Sequence, residues 1–129
     1  MRRAKLDPDE VLYVVVGSTM TAPDEPFTDE DGMHFYINAE GTVTTPVPDD
    51  ERGNFLPRYG HNSIVIIIEG GYTDDGIPSA RSYYRNQLLS VQFISRMMLR
   101  KYPNARLTMW HELKKGINPI LTREDLSNG

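Results

Sequence analysis

Short apolar segments alternate with long polar segments along the chain, and this pattern predicts a sheet of short strands. Residues 11–16 and 62–69 are rich in β-branched side chains and lie next to glycines, which is typical of buried strands. The second segment is apolar on both faces, so we expect it at the centre of the sheet. Residues 106–110 form another predicted strand. Residues 33–38 and 42–44 predict a hairpin, in which Gly41 can adopt the positive φ of a tight turn.

The longest periodic segment is residues 82–102, where apolar side chains recur every three or four positions. This spacing predicts one long helix with a single apolar stripe. The members of the stripe are Tyr84, Leu88, Val91, Ile94, Met98 and Tyr102. A short helix is expected at residues 122–126, with Thr122 as its cap and Asp125 in the capping-box position.

The order of these elements predicts an α/β or α+β fold, in which helices cover a central mixed β-sheet. The 129 residues suit a single domain. We expect residues 1–10 to form an N-terminal extension and residues 11–129 to form the domain. Residues 20–32 and 45–61 are rich in proline, glycine and charged side chains, and both are predicted loops. Loops as long as the second one are often functional.

Charge and composition exclude several classes of function. The net charge of −4 argues against a general affinity for nucleic acids or anionic membranes, although it leaves room for a local basic pocket. The absence of cysteine excludes disulfides, thiolate zinc ligands and a cysteine nucleophile. No apolar stretch follows the basic N-terminus, so we expect no export signal and a cytoplasmic protein. The pattern assigns no oligomeric state.

Several blocks of the sequence resemble the zinc-dependent N-acetylmuramoyl-L-alanine amidases, a family that includes small phage lysozymes and animal peptidoglycan-recognition proteins. Residues 13–16 (YVVV) are similar to the opening strand of that family. Residues 32–43 (GMHFYINAEGTV) are similar to its Gly-Tyr-His hairpin. Residues 61–71 are similar to its His-Asn-x-Ser-Ile strand with a Gly-Gly ending, and residues 101–105 (KYPNA) to the exit of its long helix. The blocks occur in the family's order.

The resemblance implies an amidase-like fold that binds zinc, but the ligand positions carry other residues here. In the family, the ligands are a His ending the first strand, a His ending the last strand, and a Cys or Asp before a proline. The matching positions are Gly17, Trp110 and Asn118, and none of these is a usual zinc ligand. A shift of one residue would make His111 a ligand, but one imidazole does not hold zinc at useful affinity.

We therefore interpret the chain as a degenerate, non-catalytic relative of the amidases, without zinc or another cofactor. The alternative is an active N-acetylmuramoyl-L-alanine amidase with a remodelled site. A metal site rebuilt from His34, His61 and His111 is a further alternative. The structural interpretation has His34 packed in a strand and the other two bonded to the backbone. The family also has a helix after the first strand, whereas residues 20–32 leave room for a loop alone.

In the binding interpretation, a groove lies at the ends of the first and last strands. Its candidate lining residues are Arg58, Tyr59, His61, Asn62, Trp110 and His111. Trp110 can stack on a ring-bearing ligand, or it can fill the vacated zinc cavity as a core residue. The expected partner is a peptidoglycan fragment, another small anionic ligand or a protein, and we expect no nucleic acid and no membrane.

Overall fold

The computed structural model describes residues 4–22, 32–114 and 121–127. The strands in these ranges are β1 (Tyr13–Ser18), β2 (Phe35–Ile37), β3 (Val43–Thr44), β4 (Ser63–Ile68) and β5 (Arg106–Met109). The helices are α1 (Arg85–Lys101), α2 (Trp110–Leu113) and α3 (Arg123–Ser127). Short 3-10 helices occur at Pro8–Glu10, Pro57–Tyr59 and Ala80–Ser82. None of the helices in the described ranges is long and apolar enough to cross a bilayer.

The five strands form one sheet in the order β3-β2-β4-β1-β5. β4 pairs in parallel with β1 and β2, and β1 pairs in parallel with β5. β3 pairs with β2 as an antiparallel hairpin, whose turn residue Gly41 has a φ of +86°. Every residue of β4 is buried, as expected for a strand between two covered faces. The predicted mixed sheet, its central strand and its hairpin are therefore confirmed.

Helix α1 covers one face of the sheet, which we call the α1 face. Its buried side chains Val91, Ile94 and Met98 belong to the same core cluster as Val14 and Ile64 of the strands. Burying one such side chain contributes about 1.5–3 kcal/mol to folding, so the apolar stripe holds the helix on the sheet. The assignment of Tyr84 to this stripe was wrong, because α1 begins at Arg85 and Tyr84 is its exposed N-cap residue.

The opposite face, which we call the loop face, is covered by residues 55–59 and α2. Its buried cluster comprises Val15, Met33, Tyr36, Leu56, Val65 and Ile67. The partly buried rings of Phe55, Tyr59 and Trp110 pack against this cluster. Part of the predicted long loop therefore covers the smaller of the two core clusters, and its apolar residues contribute to stability.

His34 fixes this long loop to the sheet. It is fully buried directly before β2, and not within the strand as predicted. The N–H of Val65 donates to His34 Nδ1 at 3.0 Å, so Nε2 carries the ring hydrogen. Nε2 then donates to the carbonyl oxygen of Glu51 at 2.7 Å. The imidazole thus joins β4 to the loop through two backbone groups.

The predicted N-terminal extension packs against the same loop. Leu6 is buried in the core, and its N–H donates to the carbonyl of Asp50 at 2.8 Å. The N–H of Arg52 donates to the carbonyl of Ala4, also at 2.8 Å. Lys5 lies 3.2 Å from the carboxylate of Asp50, although both side chains are largely exposed. The described part of the extension therefore holds residues 50–52 in place and adds Leu6 to the core cluster of the α1 face.

Three other boundary predictions have clear outcomes. β1 runs from Tyr13 to Ser18 and so starts and ends two residues later than predicted. Trp110 was predicted to end the last strand, but it is the first residue of α2. The predicted capping box of α3 is confirmed, because the N–H of Thr122 donates to Asp125 at 2.9 Å and the N–H of Asp125 to Thr122 at 3.3 Å. Most of the predicted loop at residues 20–32 lies outside the described residues.

Candidate ligand-binding cleft

Two positions that the resemblance assigns to zinc ligands meet on the loop face. β1 and β5 pair through Val16 and Met109, so Gly17 and Trp110 follow side by side. The indole lies directly over the glycine. A Cβ atom added to Gly17 would lie 2.8 Å from Cε3 of Trp110 and 3.1 Å from its Cβ. A side chain at position 17 and the indole at position 110 therefore exclude each other.

The Trp110 side chain is held on several sides, and the residue is half-buried. Its centroid lies 5.3 Å from that of the Phe55 ring, and the Lys114 ammonium lies 5.7 Å from it. The indole Nε1 is buried and has no hydrogen-bond acceptor among the described residues. The ring therefore fills the space over Gly17, and the residue as a whole is half-buried.

An open cleft of about 560 Å³ lies beside Trp110, between the long loop and the end of α2. It is lined by Phe55, Leu56, Pro57, Arg58, Tyr59, Leu113 and Lys114. Pro57 is the first residue of the 3-10 helix Pro57–Tyr59. Proline has no backbone N–H, and at the first position of a helix that N–H would have no partner within the helix. The Tyr59 ring is fixed edge-on against Tyr13, with 5.8 Å between the ring centroids. The walls of the cleft are therefore mostly apolar and built on both the loop and the sheet.

The cleft carries positive charge in a chain whose net charge is −4. Arg58 and Lys114 are exposed, and neither side chain forms an ion pair with the described residues. No carboxylate belongs to the lining. The nearest acidic residue along α2 is Glu112, which is already paired with Arg123 at 2.7 Å. An acidic ligand would therefore meet two available cations here.

Glu112 also shapes the end of the sheet. Its carboxylate accepts the N–H of Met109 at 2.8 Å, which caps α2 and ends β5. Partial burial acts to raise the pKa of Glu112, but the Met109 N–H and the Arg123 guanidinium outweigh it and hold the pKa below its usual range. The carboxylate is thus charged at neutral pH and is occupied by protein groups.

The structure brings together some of the predicted groove residues and separates others. Arg58 and Tyr59 line the cleft. Trp110 is not among the lining residues, but its ring contacts two of them, Phe55 and Lys114. His61, Asn62 and His111 are not among its lining residues.

The expectation that His61 and His111 bond to the backbone was wrong. Neither ring forms a hydrogen bond with the described residues, because His61 is exposed in the turn before β4 and His111 projects from α2. The side-chain oxygen of Asn62 is buried, and no described residue donates a hydrogen bond to it. Asn118 lies outside the described residues.

The described residues do not fit a zinc site of the family type. Glycine has no donor atom, and the indole N–H donates a hydrogen without offering a lone pair. A site rebuilt from the three histidines also fails, because both ring nitrogens of His34 are bonded to the backbone. Within residues 4–22, 32–114 and 121–127, no three His, Asp or Glu side chains lie close enough together to hold a metal ion.

Sequence reasoning missed most of the cleft lining. The missed lining residues are Phe55, Leu56, Pro57, Leu113 and Lys114. One available signal was the apolar stretch at residues 55–57 within a polar loop. Another was the spacing of Lys114 four residues after Trp110, which places the two side chains on the same side of a helical turn.

Sequence comparison relates the chain to phage endolysins. It is 33% identical over 82 residues to the endolysin of Escherichia phage T7, which covers 64% of this chain and 54% of that protein. The endolysin of Enterobacteria phage T3 matches over the same length at 30% identity. The chain therefore spans about half the length of the curated relatives that it matches. No model of a known protein family matches the chain.

Solved structures share the whole architecture. The Ph2119 endolysin from a Thermus scotoductus bacteriophage superposes with a TM-score of 0.78, at 16% identity, over 97% of this chain and 88% of that one. A Drosophila PGRP-LB variant in complex with tracheal cytotoxin gives a TM-score of 0.67, at 15% identity, over 92% and 79%. The chain thus has the single-domain fold of the amidases and peptidoglycan-recognition proteins, and the resemblance to that family predicted from its sequence is confirmed.

Proposed function

We propose that this chain binds a peptidoglycan fragment in the cleft beside Trp110 and does not hydrolyse the muramoyl–L-alanine bond with zinc. The observation that carries the proposal is the position of the indole over Gly17, where the family places two of its ligands. The two positions converge as the resemblance implies, yet they offer no pair of metal-binding atoms. The relatives support peptidoglycan as the ligand class, since they include endolysins and a recognition protein in complex with tracheal cytotoxin.

The chemistry of the cleft favours a ligand with both rings and acidic groups. The half-buried residues Trp110 and Phe55 provide a surface for the apolar face of a sugar. Arg58 and Lys114 are available to the carboxylates of a stem peptide, and a guanidinium can bind a carboxylate through two parallel hydrogen bonds. The cleft volume of about 560 Å³ is in the usual range for small-ligand sites. Another small anionic ligand or a protein partner would use the same cations.

The direct test is a titration of the purified chain with soluble muropeptides. Trp110 is the only tryptophan, so its fluorescence reports on this place alone. We expect a saturable quench or shift of the emission. Arg58→Ala should weaken binding about tenfold or more, because a hydrogen bond to a charged group is lost. Arg81→Ala, which removes an exposed arginine outside the lining, is the matched control. If neither muropeptides nor aqueous quenchers change the intensity or the wavelength of the Trp110 emission, the proposal is contradicted.

An active peptidoglycan amidase with a remodelled site is the second candidate, and the match to phage endolysins favours it. The two candidates differ in turnover. We expect the chain to release no stem peptide from cell walls or muropeptides, as measured by chromatography of the products. Release at ordinary enzymatic rates that is abolished by His111→Ala or His61→Ala would establish the amidase instead.

A further inference from the structure

An apolar row lies on the outer side of α1, away from the core. Leu89, Phe93 and Met97 follow one another at four-residue spacing, which places them on one side of the helix. All three are exposed, and 65% of Phe93 is open to solvent. The buried residues Val91, Ile94 and Met98 occupy the opposite side of the same helix. The row therefore contributes nothing to the core of this chain.

Arginines flank this row. Arg96 and Arg100 lie within four residues of Phe93 and Met97, and Arg85 lies four residues before Leu89. The helix contains no aspartate or glutamate. None of these three guanidinium groups forms an ion pair with the described residues. We call the combination of the three apolar and three basic side chains the outer face of α1.

We propose that the outer face of α1 binds the surface of a lipid bilayer that contains anionic phospholipids. The complementary charge is phosphate, which three unpaired guanidinium groups attract, while Phe93 and its two neighbours enter the interface between headgroups and acyl chains. The net charge of −4 predicts no general affinity for such membranes. At physiological salt, charges that lie more than about 8 Å from a lipid phosphate are screened. The arginines of the outer face of α1 therefore determine the attraction to the bilayer, and the net charge of the chain does not.

A bilayer fits this face better than a folded protein does. The row is about 12 Å long, since eight steps of about 1.5 Å each separate its first residue from its last. A stable protein interface buries about 800 Å² on each partner, which is much more than three side chains supply. A bilayer needs no matching shape. A second copy of the chain would bring its own arginines against these arginines in a symmetric α1–α1 contact, which repels.

The test is flotation of the purified chain with large unilamellar vesicles. We expect it to bind vesicles of equal parts phosphatidylglycerol and phosphatidylcholine, to bind pure phosphatidylcholine much less, and to be released by high salt. Each of Arg96→Gln and Arg100→Gln should weaken binding about fivefold, as for the loss of one cation near an anionic surface. Phe93→Ser should also weaken it. No binding to the anionic vesicles overturns the proposal.

Matched controls separate this surface from the rest of the chain. Ile77→Ser removes another exposed apolar side chain, and Arg52→Gln removes an exposed arginine outside α1. Both should bind like the unchanged chain. If they weaken vesicle binding as much as the α1 variants do, the outer face of α1 is not the binding surface. The outcome is independent of the cleft, because Trp110 and α1 pack on opposite faces of the sheet.

Discussion

At the scale of single residues, the pair Gly17 and Trp110 explains why this site differs from a zinc site. The space that a side chain on β1 would occupy is taken by the indole. A change at either position therefore alters what the other can accept. Restoring a histidine at position 17 alone would force the indole out of its place.

This coupling gives the first prediction. Gly17→Ala should cost about 1–3 kcal/mol of unfolding free energy, because its methyl group overpacks the indole. In a Trp110→Leu background, which removes the ring but keeps an apolar side chain, the same change should cost much less. The interaction energy from the double-mutant cycle should be about 0.5–3 kcal/mol. Equilibrium urea unfolding measures all four proteins. Additive effects would show that the two positions do not touch.

His34 gives a second prediction at this scale. His34→Ala leaves the buried Val65 N–H and the partly buried Glu51 carbonyl without their partner, and an unpaired buried group costs about 1–3 kcal/mol. We therefore expect a loss of at least about 2 kcal/mol in chemical unfolding. The matched control His61→Ala removes an exposed imidazole and should change stability by less than about 0.5 kcal/mol. Equal effects of the two variants would contradict a structural role for His34.

At the scale of elements, strong local patterns predicted the structure well. β4 is uniformly apolar and α1 has a long helical period, so each segment alone determines its type and its buried residues. The α3 capping box was also predictable, since its two residues are three positions apart. Tyr84 was misplaced because the helical period does not show where a helix begins.

The start of α2 depended on a less regular signal. Glu112 binds the N–H of Met109, and this contact turns the chain into a helix at Trp110 although the preceding residues favour a strand. The cleft was predictable in part for a similar reason. Arg58, Tyr59 and Trp110 followed from the family resemblance. Leu113 and Lys114 meet the loop at residues 55–59 through a contact that is distant in sequence, which no local period reveals.

The link between α2 and α3 gives a pH-dependent prediction. Because the folded-state pKa of Glu112 lies below its usual value, its charge stabilises the fold above the unfolded pKa, and this contribution is lost as the pH falls through the folded value. Glu112→Gln keeps an acceptor for the Met109 N–H but loses the charge beside Arg123.

We expect Glu112→Gln to unfold more easily than the unchanged chain at pH 7, by up to about 1 kcal/mol, as for other exposed ion pairs. The difference should shrink in acid, where the carboxylate of the unchanged chain becomes protonated. Urea unfolding at a series of pH values measures it. Glu124→Gln, at an exposed position of α3, is the matched control. A difference that stays constant from neutral to acidic pH would contradict the assignment to the charge of Glu112.

At the scale of the whole molecule, the sheet separates two surfaces. The loop face carries the cleft, in which two cations lie beside aromatic rings. The α1 face carries the long helix, whose outer side is basic and apolar. Because the sheet lies between them, a ligand in the cleft and a bilayer against α1 do not compete for space. Both proposals concern basic surfaces of an acidic chain, so salt should weaken both.

The last prediction concerns metal and depends on residues from separate parts of the chain. We expect the purified protein to contain no zinc and to keep its melting temperature in EDTA, because neither Gly17 nor Trp110 supplies a metal-binding atom. The triple variant Gly17→His, Trp110→His and Asn118→Cys restores the three family ligands and relieves the clash over position 17. It should bind zinc and melt at a higher temperature with zinc than without it, since metal binding adds to folding free energy. The double variant that retains Asn118 is the matched control and should bind more weakly. One zinc per unchanged chain by elemental analysis, or a large drop in its melting temperature with EDTA, would contradict the loss of the metal site.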